Sequence, residues 1–208
     1  MKVLLAIDSS EFSEPVISEI ESRRWPAGSV VFVLTVVDMF ALTYSIGYLK
    51  PFVKNENDAA RALVQSVADR LASGGIETVT QVVEAHPATC IVEQAAKWDA
   101  DFIFVGSHGH SGVARFFLGS IAKGVLRNAQ CSVVIVRRPE RQTSRNGRRL
   151  LLATDGSAYS EGAARSVSER PWPSGTEFKI VSVVDPMIPV MDPWYAAGEV
   201  IDQIRNQT

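Results

Sequence analysis

Short apolar runs alternate with helical segments through residues 1–137, and this alternation restricts the fold more than any other feature of the chain. The runs are rich in Val, Ile and Leu, whereas the segments between them repeat apolar residues at helical spacing. Strands that alternate with helices form a parallel sheet covered by helices on both faces. We therefore predict an α/β fold with a doubly wound five-stranded parallel sheet, its strands at residues 3–7, 29–37, 77–84, 100–105 and 132–136.

The helices expected between these strands are marked by residues that favour helix ends. Ser10 or Ser13 is the candidate N-cap of the first helix. The pair Gly74-Gly75 stops the second helix, and Pro87 suits the first turn of the third. Residues 39–53 receive no assignment. The predicted helices cover residues 9–24, 58–73, 87–97 and 121–128.

A partial internal repeat follows these elements. Residues 151–161 restate residues 4–14, with Asp155 in the place of Asp8, and a second Trp-Pro-x-Gly sequence follows at the same separation. The copy stops after its second strand. We predict a complete domain at 1–137, an Arg-rich linker at 138–147, and a truncated second domain at 148–208 that forms a partial β-α-β repeat.

The truncated repeat is too small to bury a core of its own, because a strand-helix-strand fragment of about 40 residues buries little surface. We therefore expect it to dock on the first domain or on another protomer, which favours a homodimer or a larger self-association. It also lacks any copy of the glycine run found in the first domain.

That glycine run is the strongest functional signal in the chain. Gly106 and Gly109 follow the fourth strand, and Gly119-Ser120 precedes the next helix. Glycines let the backbone approach a ligand closely, and a helix N-terminus favours an anion. Asp8 ends the first strand. If strands one and four are neighbours, Asp8 and the glycines face one crevice at the carboxyl edge of the sheet, where ligands of such folds bind.

Composition excludes several other classes of function. The net charge of −2 gives little attraction to nucleic acid or to a membrane surface. Cys90 and Cys131 lie too far apart in sequence to indicate a metal-ligand pair or a disulfide framework. No apolar run reaches the roughly 18 residues of a membrane helix. We expect a soluble cytoplasmic protein with no nucleic-acid or membrane partner, and interpret the linker arginines as solvated, with an anion contact as the alternative.

These motifs resemble those of the universal stress proteins. ATP-binding members of that family carry Gly-x2-Gly-x9-Gly-(Ser/Thr) after strand four, an Asp after strand one, and Val-x-Asp after strand two. The matching positions here begin at Gly106, Asp8 and Val36. The resemblance covers residues 1–137 fully and 148–186 as a truncated second domain. It implies an ATP-binding regulatory or stress-response module, with ATP bound alone or with Mg²⁺.

The resemblance also implies a role for each site residue. Asp8 would contact adenine or ribose, and Ala6 and Val36 would line the adenine pocket. Val105 and Gly106 would lie beneath the ribose and first phosphate. Arg115 is a candidate to neutralise a phosphate, with a solvated surface position as the alternative. The phosphates would be wrapped by the backbone N–H groups of Gly109, Gly119, Ser120 and Ile121.

One position departs from the family pattern, because Ala122 stands where many members have a hydroxyl residue. No catalytic residue and no metal ligand is predicted, although His108 and His110 leave a metal site as a minor alternative. An adenine-nucleotide α-hydrolase is the alternative enzyme, but the segment after Asp8 lacks that class's glycines. A pure interaction module with a vestigial site is the third hypothesis. At most we expect slow ATP hydrolysis.

Overall fold

The computed structural model describes residues 1–38, 50–108, 118–137 and 147–183. The chain divides into two compact units, Met1–Gln142 and Thr143–Thr208. The first contains the strands β1 (Lys2–Ala6), β2 (Val30–Val37), β3 (Glu77–Glu84), β4 (Phe102–Gly106) and β5 (Ser132–Val136), and the helices α1 (Ser13–Glu21), α2 (Lys50–Ser73), α3 (Pro87–Trp98) and α4 (Ser120–Asn128). The second contains β6 (Arg149–Thr154), α5 (Ala158–Ser168) and β7 (Glu177–Ser182).

The first unit is a parallel sheet in the order β3-β2-β1-β4-β5. The predicted fold class is therefore confirmed. The register places Ala6 beside Val105, so β1 and β4 are neighbours that end together. The strand order reverses at this pair, so the segments that follow β1 and β4 run toward opposite faces of the sheet. A crevice therefore opens between the carboxyl ends of these two strands.

Both faces of this sheet are buried by helices. One face packs Val3 and Leu5 against α1 and α2, and the other packs Leu4 and Ile103 against α3 and α4. These strand residues are fully buried, which explains why β1 and β4 are continuous apolar runs. The packing fixes the strand ends and hence the crevice.

Two helix starts differ from prediction. The first helix begins at Ser13, and its N-cap is Phe12, which makes no side-chain capping bond. The prediction that Ser10 or Ser13 caps it was wrong, because both hydroxyls bond Asp8 instead. The second helix begins at Lys50 rather than residue 58, within the segment left unassigned, whose residues 39–49 lie outside the described part.

Two other helix signals are confirmed. The second helix ends at Ser73, just before the glycine pair, and Gly75 has a φ of +79° that an L residue seldom adopts. Pro87 occupies the first turn of α3. No helix in the described ranges is long and apolar enough to cross a membrane.

The second unit reproduces the contacts of the first strand-helix-strand segment. The Trp25 indole N–H donates to the Ile20 carbonyl at 2.9 Å, and the Trp172 indole does the same to Val167 at 2.8 Å. In both segments a glycine with positive φ, Gly28 or Gly175, precedes the second strand. Its two strands are parallel. Residues 138–146 and 184–208 lie outside the described part.

Candidate functional site

A cavity of about 510 Å³ opens at the carboxyl ends of β1, β2 and β4. Its volume falls within the usual range for small-molecule sites. Two of the predicted site residues, Gly109 and Arg115, lie outside the described part of the chain. The structure brings the other predicted residues together in the cavity wall: Ala6, Asp8, Val36, Val105, Gly106, Gly119, Ser120 and Ile121.

Asp8 is held rigidly at the end of β1. Its Oδ1 accepts bonds from the Ser10 amide at 3.1 Å, from the Ser10 hydroxyl, and from the Ser13 hydroxyl at 3.0 Å. The Ser13 Oγ also accepts a hydrogen bond from the Asp8 amide at 2.9 Å. This bond gives that amide a partner just beyond the last strand hydrogen bonds of β1. None of these bonds uses Oδ2. These bonds orient the carboxylate, and within the described residues Oδ2 is the oxygen left for a ligand.

Val36 lies where β2 extends past the end of β1. Successive residues of a parallel strand direct their N–H and C=O alternately to the two neighbouring strands. The Ile7 amide donates to the Leu34 carbonyl at 3.0 Å, so Leu34 and Val36 face the β1 side. Because β1 ends at Ala6, the N–H and C=O of Val36 face the cavity instead of a strand.

Gly106 lies in close packing beneath the first turn of α1, where a larger residue would be crowded. A Cβ built on Gly106 would lie 3.2 Å from the carbonyl oxygens of both Phe12 and His108. The Phe12 ring contacts the His108 ring in a tilted arrangement, with centroids 5.4 Å apart. The His108 Nδ1 lies 3.0 Å from the Ser107 hydroxyl, and its buried Nε2 has no partner within the described residues. Phe12, after β1, thus packs against His108 at the start of the segment that follows β4.

The α4 N-terminus forms the anion-facing wall. Ser120 is the first helical residue, not the N-cap, which is Gly119. The Gly119 N–H, predicted to face phosphate, instead donates to the Ser107 carbonyl at 2.8 Å. The next three amides, those of Ser120, Ile121 and Ala122, have no intrahelical acceptor because they belong to the first turn. They therefore supply the donors at this end of the cavity.

Sequence reasoning missed the part of the cavity wall that other helices form. It is built by α2 and by the start of α3. Whether these two helices contact the cavity depends on the angle at which they cross the sheet, which local sequence does not reveal. The lining residues from these elements are Glu56, Ala59, Ala60, Leu63, His86, Pro87, Ala88 and Ile91. Asp38 also lines the cavity, and the Val-x-Asp pattern at the end of β2 could have identified it as a site residue. The wall is mainly apolar and suits a flat, weakly polar group.

Charge in the described wall is acidic rather than basic. Asp8, Asp38 and Glu56 line the cavity, and no Lys or Arg does so among the described lining residues. No group of three His, Cys, Asp or Glu residues within the described ranges is arranged to hold a metal ion. Backbone amides are consequently the anion-binding groups that these residues offer.

Asp155 shows a similar local cluster in the second unit. Its Oδ1 accepts from the Ser157 amide at 3.0 Å. Hydrogen bonds, first from the Ser157 side chain and then from its backbone, lower the pKa of the Asp155 carboxyl to about 2. The carboxylate is exposed, and no counterpart of β4 lies beside β6 in the described part. This unit contains only half of the arrangement around Asp8.

The comparisons with known proteins agree with this geometry. The model of the universal stress protein family matches residues 1–137. A universal stress protein of Synechocystis is 28% identical over 148 residues, which span 65% of this chain and 96% of that protein. One from Methanocaldococcus jannaschii is 29% identical over 146 residues, spanning 68% of this chain and 84% of its own.

A solved structure has the same fold. The crystal structure of a universal stress protein from Archaeoglobus fulgidus superimposes with a TM-score of 0.65 at 21% identity, covering 99% of this chain and 71% of that one. The family match extends over the whole five-stranded unit, including β1, β4 and the helix that borders the cavity. The chain therefore belongs to the universal stress protein family.

Proposed function

We propose that this protein is an ATP-binding regulatory module with one nucleotide site per chain, in the cavity between β1 and β4. The observation that carries the proposal is the meeting of Asp8, the backbone of Val36 beyond the end of β1, and the N-terminus of α4 in one cavity. Asp8 suits the ribose of a nucleotide, the Val36 backbone suits the base, and the start of α4 suits the phosphates. Family membership supports the same assignment.

The backbone of Val36 favours adenine over guanine. It presents one donor and one acceptor side by side toward the cavity. The Watson–Crick edge of adenine carries an acceptor at N1 beside a donor at N6, which is the complementary pattern. Guanine carries the reverse order and would set donor against donor and acceptor against acceptor, leaving these groups unpaired at a cost of about 1–3 kcal/mol each.

The remaining groups suit the sugar and the phosphates. The Asp8 Oδ2 is an acceptor for a ribose hydroxyl, as acidic residues are in dinucleotide-binding sheets. The three amides at the start of α4 donate to phosphate oxygens, and the helix dipole adds about 0.3–1 kcal/mol of preference for an anion. Because Asp8, Asp38 and Glu56 make the wall acidic, Mg²⁺ bound with the triphosphate would reduce the repulsion.

The proposal includes a cytoplasmic location, where ATP is abundant, and self-association of the chain. Self-association is supported by the second unit, whose helix α5 has no buried residue and whose strands expose Leu151 and Ile180. Such exposed apolar side chains are typical of a surface that pairs with a partner.

Calorimetric titration with ATP, with and without Mg²⁺, tests the site. We expect one ATP per chain. Asp8→Asn keeps the shape of the side chain but removes its charge, and should weaken binding about tenfold, since a hydrogen bond to a charged group contributes about 1.5–3 kcal/mol. Asp155→Asn is the matched control and should leave binding unchanged. No binding by the parent protein would refute the proposal, and two ATP per chain would refute the single site.

Nucleotide carried through purification gives an independent test. Heat denaturation should release an adenine nucleotide, identified by mass spectrometry, from the parent protein but not from Asp8→Asn. A chain that releases none and binds none fits an interaction module with a vestigial site. Multiple turnover of ATP with a second substrate would instead favour the α-hydrolase class.

A further inference from the structure

One edge of the second unit has no strand beside it in the described part of the chain. β6 pairs with β7 along one side only. The equivalent strand of the first unit, β1, lies between β2 and β4. Leu4 of β1 is fully buried, whereas Leu151, its counterpart in the repeat, is 67% exposed. An unpaired edge with apolar side chains is a template for another strand.

The backbone of β6 directs specific residues to this edge. The Glu177 amide donates to the Arg148 carbonyl at 2.8 Å, so the even-numbered residues of β6 bond β7. The groups that face the edge therefore belong to Arg149, Leu151 and Ala153. These are the counterparts of the β1 residues that bond β4. The edge thus presents a full set of donors and acceptors over the length of the strand.

The charges along β6 determine which strand fits. The strand begins with exposed Arg149, contains only uncharged residues from Leu150 to Thr154, and is followed by exposed Asp155. A basic start and an acidic end complement a second copy that runs antiparallel. A parallel copy would instead place like charges together. The edge is therefore complementary to itself in one orientation.

We propose that the β6 edges of two copies of this chain pair antiparallel about a two-fold axis, forming the continuous sheet β7-β6-β6-β7. In this register Leu152 lies opposite its own counterpart, and Arg149 lies opposite Asp155 of the second copy. The pairing is isologous, so each copy contributes the same residues and the assembly closes as a dimer.

The sheet face and the outer edge of β7 are less suited to this role. Lys179, in the middle of β7, occupies the position that Phe32 holds in the first unit, where Phe32 is buried. A lysine at this position favours exposure of that sheet face to solvent. A charged residue in the middle of an edge strand also commonly prevents pairing with another strand. β6 carries no charged residue between its ends.

Disulfide trapping tests the register directly. Leu152 would form a non-hydrogen-bonded pair with its counterpart, at a Cα separation of about 4.5 Å that a disulfide can span. Under mild oxidation, Leu152→Cys should therefore give a covalent dimer. Leu150→Cys, which would lie opposite Thr154, should not. The parent chain controls for disulfides made by Cys90 and Cys131, both of which are free thiols.

Two proline substitutions, each in the Leu152→Cys chain, identify the edge. Leu151→Pro removes an amide that faces the β6 edge, whereas Ile180→Pro removes one that faces the outer edge of β7, and neither amide bonds between β6 and β7. The two side chains are similarly exposed, at 67% and 69%. Leu151→Pro should lower the yield of covalent dimer about tenfold or more, and Ile180→Pro should leave it unchanged.

Three results with these substituted chains would overturn the proposal. They are a Leu152→Cys chain that stays monomeric on oxidation, a covalent dimer that survives Leu151→Pro, and loss of the dimer only with Ile180→Pro. Circular dichroism of each variant shows whether β6 and β7 remain folded. Removal of residues 184–208 from the Leu152→Cys chain should leave trapping intact. Loss of trapping would show that residues 184–208 mediate the association, a fourth result that would overturn the proposal.

Discussion

The same substitution, glycine to alanine, should have opposite effects in helices α4 and α5. Gly124 of α4 packs against α3, and a Cβ built on it would lie 2.8 Å from the Cβ of Ala88. Gly162 of α5 has no atom within 4 Å of such a Cβ. Both positions are inside helices, so alanine improves the helix propensity of each by about 1 kcal/mol. The difference between them is therefore the contact alone.

The contact should outweigh the propensity at Gly124. Carbon atoms normally rest about 3.5–4.0 Å apart, so at 2.8 Å the two helices must separate. Overpacking of this kind costs about 1–3 kcal/mol, which leaves Gly124→Ala destabilised by about 0–2 kcal/mol. Gly162→Ala should be stabilised by about 0.5–1 kcal/mol. A change of 1 kcal/mol shifts Tm by roughly 2–4 °C in a domain of about 150 residues, near the size of the first unit, and by roughly 4–8 °C in one of 60–100 residues, like the second.

Scanning calorimetry gives the stabilities, and amide exchange measured in α4 and α5 assigns each change to its unit. The double variant Ala88→Gly with Gly124→Ala removes the clash and should recover stability, with a coupling energy of about 1–3 kcal/mol. Because Ala88 lines the cavity, Gly124→Ala should also weaken ATP binding. Equal stabilisation by Gly124→Ala and Gly162→Ala would refute the reasoning, since the close contact would then have no energetic effect.

Two further predictions concern Ala122 and Asp155. Ala122→Ser places a hydroxyl in the buried wall beside the α4 amides, where it can donate one hydrogen bond to a charged phosphate. Calorimetry should therefore show ATP affinity rising about tenfold, while the free protein becomes less stable. Unchanged affinity would contradict this geometry. The Asp155 carboxyl has its pKa lowered to about 2 on folding, so it stabilises the second unit fully above about pH 4 and loses that contribution as the pH falls through 2. Carboxyl NMR should give the low midpoint, and Asp155→Asn should remove this part of the acid dependence of α5 exchange.

The sequence was sufficient to predict the strands and the edge of the sheet that carries the site. Buried parallel strands are continuous apolar runs, so Val3–Ile7 and its equivalents were recognisable without knowledge of their neighbours. The position of Asp8 beside Gly106 then depended on one condition, that β1 and β4 are adjacent, which the strand order meets.

Features that depend on tertiary contacts could not be read from local pattern. Ser10 and Ser13 have the composition of N-caps, but the Asp8 carboxylate competes for both hydroxyls. The Gly119 amide looked available for phosphate, yet the Ser107 carbonyl lies close enough to accept it. The part of the cavity wall that α2 and α3 form was missed because it depends on how these helices cross the sheet. Each of these outcomes is decided by residues that are distant in the sequence or by how two helices cross.

The order of strands in the first unit has a consequence for how the chain acquires its structure. β1 and β2 pair early in synthesis, because they are adjacent in sequence, whereas β4 emerges only after β3 and α3. Until then β1 has one open edge, and Leu4 lacks the partners that bury it. The second unit has this same set of elements, β6, α5 and β7, with Leu151 exposed. It therefore represents the nascent first unit before the long-range pairing that we expect to limit its folding rate.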